Sequence, residues 1–256
     1  NNVHRVIKNA QFRRDRRNAF TDLKKYMPEL DIRIKPIIAE FKDQKTNLEQ
    51  CAIEKNIFVF WYDGFDNAPL VVKKCLHSIE KYYQGFKIYC IDKSNYLEYT
   101  DIDELIVNDF SKGNISVQTF SDILRFNLLK NHGGIWIDST ILFLEKYDLT
   151  IGLEKKPINT INFMNSPNFF EYKGEKCSWS GFFFASRKGS VFVTAVDKVF
   201  KEYYRIYRTY SIYFFIDAVL MLCKIYGIDG NALNTIYKVD GDMFFLVNHI
   251  NKKYTP

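Results

Sequence analysis

The segment Thr119–Thr140 (TFSDILRFNLLKNHGGIWIDST) constrains the chain most, because its hydrophobic period changes partway along it. Phe120, Ile123, Leu124, Leu128 and Leu129 recur at the spacing of an amphipathic helix from about Thr119 to Asn131. Thr119 and Asp122 resemble a capping box, and Gly133 is a natural stop. Ile135-Trp136-Ile137 then runs apolar without alternation, the pattern of a short buried strand, and stops at Asp138. A helix feeding directly into a buried strand belongs to an α/β sheet covered by helices.

The flanking sequence supplies the rest of such a sheet. Ile57–Trp61 is β-branched and aromatic and ends at the turn Tyr62-Asp63-Gly64, which makes it the first central strand. Ala68–Tyr83 has helical spacing through Val71, Val72, Cys75, Ile79 and Tyr82, and Phe86–Ile91 is a second strand followed by Asp92. A strand, helix and strand in succession imply a parallel pair. Ser180–Ala185 is a later strand, and Ser190–Tyr207 and Ile212–Tyr226 are aromatic-rich helices. The predicted fold is α/β: a Rossmann-like domain over 51–256 with a mostly parallel central sheet and helical additions at both ends.

Residues 1–50 are predicted to form a separate basic helical arm. They hold 12 Lys+Arg against 7 Asp+Glu, leaving 24 against 23 for the remainder, so nearly all of the net +6 charge is N-terminal. Pro28 and Pro36 are expected to break the arm into pieces. An arm that mixes Arg13, Arg14, Arg16 and Arg17 with Val6, Ile7, Phe12 and Phe20 suits an anionic membrane surface; it also suits a charged helix packed on the core.

With 256 residues and 47% hydrophobic content, the chain is long enough for one substantial core. It contains no apolar run of bilayer length and opens on no signal-peptide core, so the expectation is a soluble or peripheral protein. Five scattered cysteines without paired spacing fit neither a disulfide framework nor a zinc site, and point to a reducing cytoplasm. The basic cluster and abundant aromatics admit a nucleic-acid binder, but no nucleic-acid motif accompanies them. No GxGxxG follows the first strand, which argues against a dinucleotide enzyme.

In open α/β sheets ligands bind beyond the carboxyl ends of the strands, where Trp61, Asp92 and Asp138 fall. Asp122 and Arg125, three positions apart, share a helix face leading towards Asp138. A guanidinium offers planar donors to phosphate or sugar oxygens, and a carboxylate accepts from two hydroxyls at once. The arrangement suits a sugar-diphosphate site, and equally a structural Asp–Arg pair that braces the helix.

Ser121-Asp122-Ile123-Leu124-Arg125 followed by Gly133-Gly134-Ile135-Trp136-Ile137-Asp138-Ser139-Thr140 resembles the SD-x-x-R and GG-x-x-x-D-x-D elements of the DXD-type sugar transferases, the family 32-like group. That group includes initiating mannosyltransferases, glucosylating toxins and bacterial capsular polysaccharide synthesis proteins. The capsular branch is the most similar, through Phe60–Gly64, Lys93–Tyr99 and Gly133–Thr140. The resemblance implies a GT-A fold and a retaining transfer of a hexose from a nucleotide-sugar, UDP-glucose or UDP-galactose by family expectation. The implied acceptor is a lipid-linked oligosaccharide at the inner face of the cell membrane. The rival is a nucleotide-sugar-binding protein without catalysis.

Carried over by position, Trp61 and Tyr62 lie near the base, and Asp122 and Arg125 contact donor sugar and phosphate. Gly134, Ser139 and Thr140 border the donor, and Asp138 is the first acid of the DXD element. Trp179, Ser180 and Gly181 border the sugar and acceptor; Asp138 is expected to be catalytic, and Asp217 faces the reaction centre as an acceptor-orienting or catalytic group, or is a satisfied structural carboxylate in an apolar helix. The last acid of DXD is Thr140 here, and a hydroxyl is a poor replacement for a carboxylate around Mn²⁺ or Mg²⁺. His249, with Asn248 and Asn251, is the C-terminal candidate to complete a metal site with Asp138 and Thr140.

Overall fold

The structure, a computed structural model, describes the backbone of residues 2–162, 170–177, 179–210, 212–235 and 237–238, and the side chains of 18–19, 21–161, 170–177, 179–210 and 212–234. In chain order the elements are α1 (Asn2–Ile38), β1 (Asn56–Phe60), α2 (Leu70–Tyr82), β2 (Lys87–Ile91), α3 (Tyr96–Tyr99), α4 (Glu104–Ser111), α5 (Val117–His132) and β3 (Gly134–Ile137). They continue as β4 (Ile158–Asn162), β5 (Glu171–Tyr172), β6 (Glu175–Lys176), β7 (Phe183–Ser186), α6 (Val191–Tyr207), α7 (Phe215–Ile225), α8 (Ile228–Asn231) and β8 (Tyr237–Lys238).

The central sheet has the order β2-β1-β3-β7-β4-β8. Pairing is parallel between β1 and β2 and between β1 and β3, where α2 and α5 supply the crossovers. It is antiparallel between β3 and β7 and between β7 and β4. Since β4 and β8 pair parallel, the sheet is mixed through β7, the one described strand of it that runs against the others. Parallel neighbours need a crossover of a dozen or more residues, usually a helix. Among the described residues between β4 and β7 there is the β5–β6 hairpin but no α-helix, and β7 returns antiparallel to β4, between it and β3. The polar run Ile158–Asn162 (INTIN) hid β4 from periodicity.

Alternation along β1 shows how the sheet is buried on both faces. Phe58 and Phe60 join one core with residues of α1, α5, α6 and α7; Ile57 and Val59 join the other, with Ile79, Tyr83, Leu149 and Leu153. The helix leading to β3 begins earlier than expected: Ser116 is the N-cap, its Oγ accepting from the Thr119 amide at 3.1 Å. The Thr119–Asp122 capping-box reading is thereby corrected, since Ser116 supplies the acceptor one turn upstream.

Gly133 and Gly134 join α5 to β3. Gly133 caps the helix at φ 63°. Gly134 adopts φ 105°, and a Cβ there would stand 2.3 Å from the Asn56 carbonyl oxygen, so only glycine lets β3 lie against β1.

The N-terminal helix is unbroken through Pro28 and Pro36. Both prolines are on its exposed side, where the carbonyls they leave without a helical partner are open to solvent rather than buried. Leu23, Met27, Leu30, Ile34 and Ile38, spaced along one stripe, are fully buried against α6 and α7. Asp31 adds a polar tie: its buried carboxylate accepts from Tyr226 Oη at 2.5 Å, Lys173 Nζ at 2.5 Å and Tyr172 Oη at 3.1 Å. Burial alone would raise this carboxyl, but Lys173 and the two tyrosines hold it below its ordinary value.

Truncating a buried aliphatic in this stripe should cost about 2–4 kcal/mol. In denaturant unfolding, Ile34→Ala is expected to lose that amount, whereas Ile32→Ala, 76% exposed, should stay within about 0.5 kcal/mol. Equal effects at the two positions would show that α1 does not pack as described.

Candidate active site

Because β1, β2 and β3 run parallel, the residues after Phe60 and after Ile137 emerge at one edge of the sheet. A cavity of about 670 Å³ opens there. Trp61 and Tyr62 enter it from the end of β1, Asp122 and Arg125 from α5, and Asp138, Ser139 and Thr140 from the turn after β3. Trp179, Ser180 and Gly181 line it ahead of β7, and Asp217 enters from the first turn of α7.

Arg125 is the centre of this arrangement. Its guanidinium, 4% exposed, donates from Nη1 to Asp122 Oδ1 at 2.9 Å and from Nη2 to Asp138 Oδ1 at 3.1 Å. It lies over the Trp136 ring, 5.1 Å from the centroid, and the same indole donates its N–H to Asp138 Oδ1 at 2.6 Å. Trp136 and Asp138 are two positions apart on one strand and share a face, a spacing through which Trp136 was findable as a site residue rather than core alone. Gly181 permits the approach of β7: a Cβ there would meet Arg125 Nη1 at 3.0 Å. Asp138 stays 35% exposed, and Thr140 is exposed in the turn.

The deeper wall is acidic as well. Asp217 Oδ1 accepts from Trp179 Nε1 at 3.1 Å. Burial lifts the Asp217 carboxyl to about 6, against Trp179 and Arg125, which pull it down. Burial also lifts Asp122 to about 7; Arg125 opposes this, and Asp138 and Asp217 add to it. Among the described lining residues, Asp122 and Asp138 pair with Arg125 and Asp217 adds a third carboxyl held by Trp179. Asp63, also on the lining, pairs with Lys93 at 3.1 Å outside it. Two buried polar atoms on the wall, Arg125 Nε and Ser180 Oγ, have no hydrogen-bond partner among the described residues.

Not every expected residue arrives. Gly134 is at the opposite end of β3 from Asp138 and off the cavity; its smallness serves the packing of β3 on β1. Asp92 is turned into its own loop, accepting from Ser94 N at 2.7 Å and Ser94 Oγ at 2.6 Å. His249, Asn248 and Asn251 lie outside the described residues. Among the described residues no three His, Cys, Asp or Glu side chains form a metal cage. Asp138, already accepting from Arg125 and Trp136, and the Thr140 hydroxyl do not amount to one. Conversely, Leu23 of α1 and Tyr213, Phe214 and Ile216 at the start of α7 line the cavity although sequence reasoning left them out; their apolar spacing marked them as core.

A curated relative, "O-glycosyltransferase braB" of Annulohypoxylon truncatum, is 24% identical over 162 residues, which is 58% of this chain and 37% of the relative, so the chain spans well under half of that protein. A solved structure, "PaToxG Glycosyltransferase", aligns with 83% of this chain and 83% of its own at 17% identity and a TM-score of 0.45. The family described as "Capsular polysaccharide synthesis protein" matches residues 5–256. On that match, which takes in both the N-terminal helix and the cavity, the chain belongs to the capsular polysaccharide synthesis protein family.

Proposed function

We propose that this chain is a glycosyltransferase that moves a hexose from a nucleotide-sugar, UDP-glucose or UDP-galactose, to a glycan acceptor in surface polysaccharide synthesis. The observation that carries the reading is the convergence of Asp122, Arg125, Asp138, Trp179 and Asp217 on one cavity at the carboxyl edge of the sheet. Family membership supports it, and so does the name of the curated relative.

In this reading the base stacks on the half-buried Trp61 beside Tyr62, whose own ring is braced edge-on by Phe110 at 5.5 Å. Arg125, held by two carboxylates, faces the diphosphate and stabilises charge as the nucleotide departs. Asp122 and Asp217 accept from sugar hydroxyls. The acceptor hydroxyl attacks C1 on the face from which the nucleotide leaves, its proton passing to the departing phosphate, which gives retention. The chain's contribution is orientation and charge stabilisation. Mn²⁺ or Mg²⁺ would find Asp138 and Thr140 as donors at this edge, with His249 outside the described residues, and the steps above are carried by this chain's own side chains.

A lipid-linked acceptor at the inner face of a membrane fits the basic residues at the start of α1, each near-surface Lys or Arg contributing about 1 kcal/mol to anionic lipid. No described helix is long and apolar enough to cross a bilayer. Because the stripe from Leu23 onward is core, a truncation that tests the arm must stop short of it. Removal of residues 1–16 is expected to weaken sedimentation with anionic vesicles while leaving the melting temperature within a few degrees; unchanged sedimentation would sink the membrane-arm reading.

Thermal shift with UDP, GDP and their sugars, each with Mn²⁺ and with EDTA, tests the donor site directly. A nucleotide at about 100 times its Kd should add roughly 2.7 kcal/mol of stability. Asp138→Asn is expected to cut release of nucleotide from the donor by about 100-fold or more while still folding. No shift with any nucleotide, or wild-type turnover in the variant, removes the assignment.

The pH dependence follows from the two raised carboxyls. Without ligand the folded chain holds protons on Asp122 and Asp217 that the unfolded chain has released, over the window from about 4 up to about 7 for Asp122 and about 6 for Asp217. Their protonation supports the fold at the acidic end of that window, and the contribution is lost as pH rises through it. The melting temperature of Asp122→Asn should fall less than wild type across this range. Parallel profiles would contradict the buried-carboxyl account.

A further inference from the structure

The mouth of the cavity has a rim whose chemistry the donor site does not use. Among the described residues ten large apolar side chains stay exposed, and five of them, Leu70, Val71, Leu97, Val117 and Leu142, stand on segments at the carboxyl edge of the sheet. Leu70 and Val71 open α2 after β1, Leu97 is on the short α3 after β2, Val117 opens α5 on the cavity lining, and Leu142 comes just past Thr140. Lys93 pairs with Asp63 at 3.1 Å, which sets the segments leading into α2 and α3 side by side. Lone exposed apolar side chains are ordinary on a protein surface, but several around one opening mark a surface that meets something apolar.

Charge identifies the partner as an anionic bilayer. Lys73 and Lys74, both exposed, follow Leu70 and Val71 on α2, and a lysine stem lies along an apolar surface while its ammonium reaches the headgroups. The larger charge belongs to α1. This helix passes the cavity at Leu23, and the chain beyond it reaches the opposite edge of the sheet, where Arg187 after β7 donates to the carbonyls of Leu48 and Cys51. Residues before Leu23 therefore lead away from the cavity end of the molecule, in an unbroken helix from Asn2 that spans about 30 Å. Residues 1–22 hold 6 Lys+Arg against 2 Asp. The basic helix and the apolar rim thus belong to the same end.

We propose that this rim, with Leu70, Val71 and Leu97 set among the headgroups, seats the chain on an anionic bilayer with the cavity mouth turned to the membrane. The inference rests on the membrane-held acceptor of the proposed function and adds the face that meets the lipid, distinct from the basic arm. An acceptor anchored by a lipid then enters the cavity without leaving the bilayer surface. Attraction through the arm and insertion through the rim are separate signals that add. Salt tells them apart, because it screens exposed charges but does not weaken the burial of apolar surface.

Sedimentation of the whole chain with vesicles of phosphatidylglycerol and phosphatidylcholine in equal parts, at low and at high salt, tests the proposal. Wild type should keep a salt-resistant share of its binding. Leu70→Gln combined with Val71→Gln should weaken that share at least about tenfold, and Leu97→Gln several-fold, through loss of apolar burial. Ile151→Gln is the control: it is 69% exposed, on the 3₁₀ segment Leu149–Glu154, whose Leu153 carbonyl accepts from Arg187 at the opposite edge of the sheet. It should change nothing. All these positions are exposed, so melting temperature and stabilisation by nucleotide should match wild type in every variant. No salt-resistant binding by wild type, undiminished binding by the Leu70 and Val71 variant, or an equal loss in Ile151→Gln overturns the proposal. So does loss of self-association on gel filtration in the Leu70 and Val71 variant with vesicle binding intact, which makes the rim a protein interface. The functional reading fails separately: if no nucleotide stabilises the wild type, the donor site falls while the vesicle result stands.

Discussion

A guanidinium removed from water must carry its counter-charge with it, and Arg125 does so twice, through Asp122 on its own helix and Asp138 on the neighbouring strand. The Trp136 ring closes the remaining face and clamps Asp138 with its N–H. Removing one partner from such a group leaves a buried charge uncompensated, at a cost of about 3–5 kcal/mol. The ion pair therefore locks the end of α5 to the end of β3, and the cavity edge keeps its shape without ligand. Such preorganisation suits the charge stabilisation proposed for this site.

The opposite wall is assembled by other means. The α7 helix brings Asp217, the segment before β7 brings Trp179 to hold it, and the buried stripe of α1 packs behind both. Asp31 ties α1 to the hairpin and to Tyr226 just after α7. The cavity thus lies between a parallel half-sheet that carries the guanidinium and a helical wall that carries the second acid. Any motion of α7 against the sheet alters the distance between Asp217 and Arg125 directly.

Carboxylates buried in the same molecule take opposite protonation tendencies, and the difference lies in their donors. Asp31 receives an ammonium and two phenols and stays below its ordinary range despite burial. Asp122 shares its one strong donor, Arg125, with Asp138 and sits beside further acid, so burial prevails and its carboxyl rises to about 7. Satisfied acids hold the fold together; under-satisfied ones gather at the cavity, where the sugar of the proposed function would supply donors.

Much of this was legible along the chain. The change of period at Gly133-Gly134, the stop at Asp138 and the three-residue spacing of Asp122 and Arg125 placed a helix, a buried strand and a shared face correctly, because each depends on neighbours close in sequence. Three things were not legible: the antiparallel insertion of β7 between β3 and β4, the unbroken course of α1 through two prolines, and the structural rather than ligand-facing place of Gly134. Each depends on what stands across a gap in sequence: which strand is next in the sheet, which side of a helix meets water, which carbonyl meets a missing Cβ. Local pattern determines what an element is and which face it buries. Tertiary packing decided how the acids of the cavity share their cation: among the described residues Asp122 and Asp138 both pair with Arg125 while Asp217 is held by Trp179 on the other wall, since electrostatic balance is a property of space rather than of sequence.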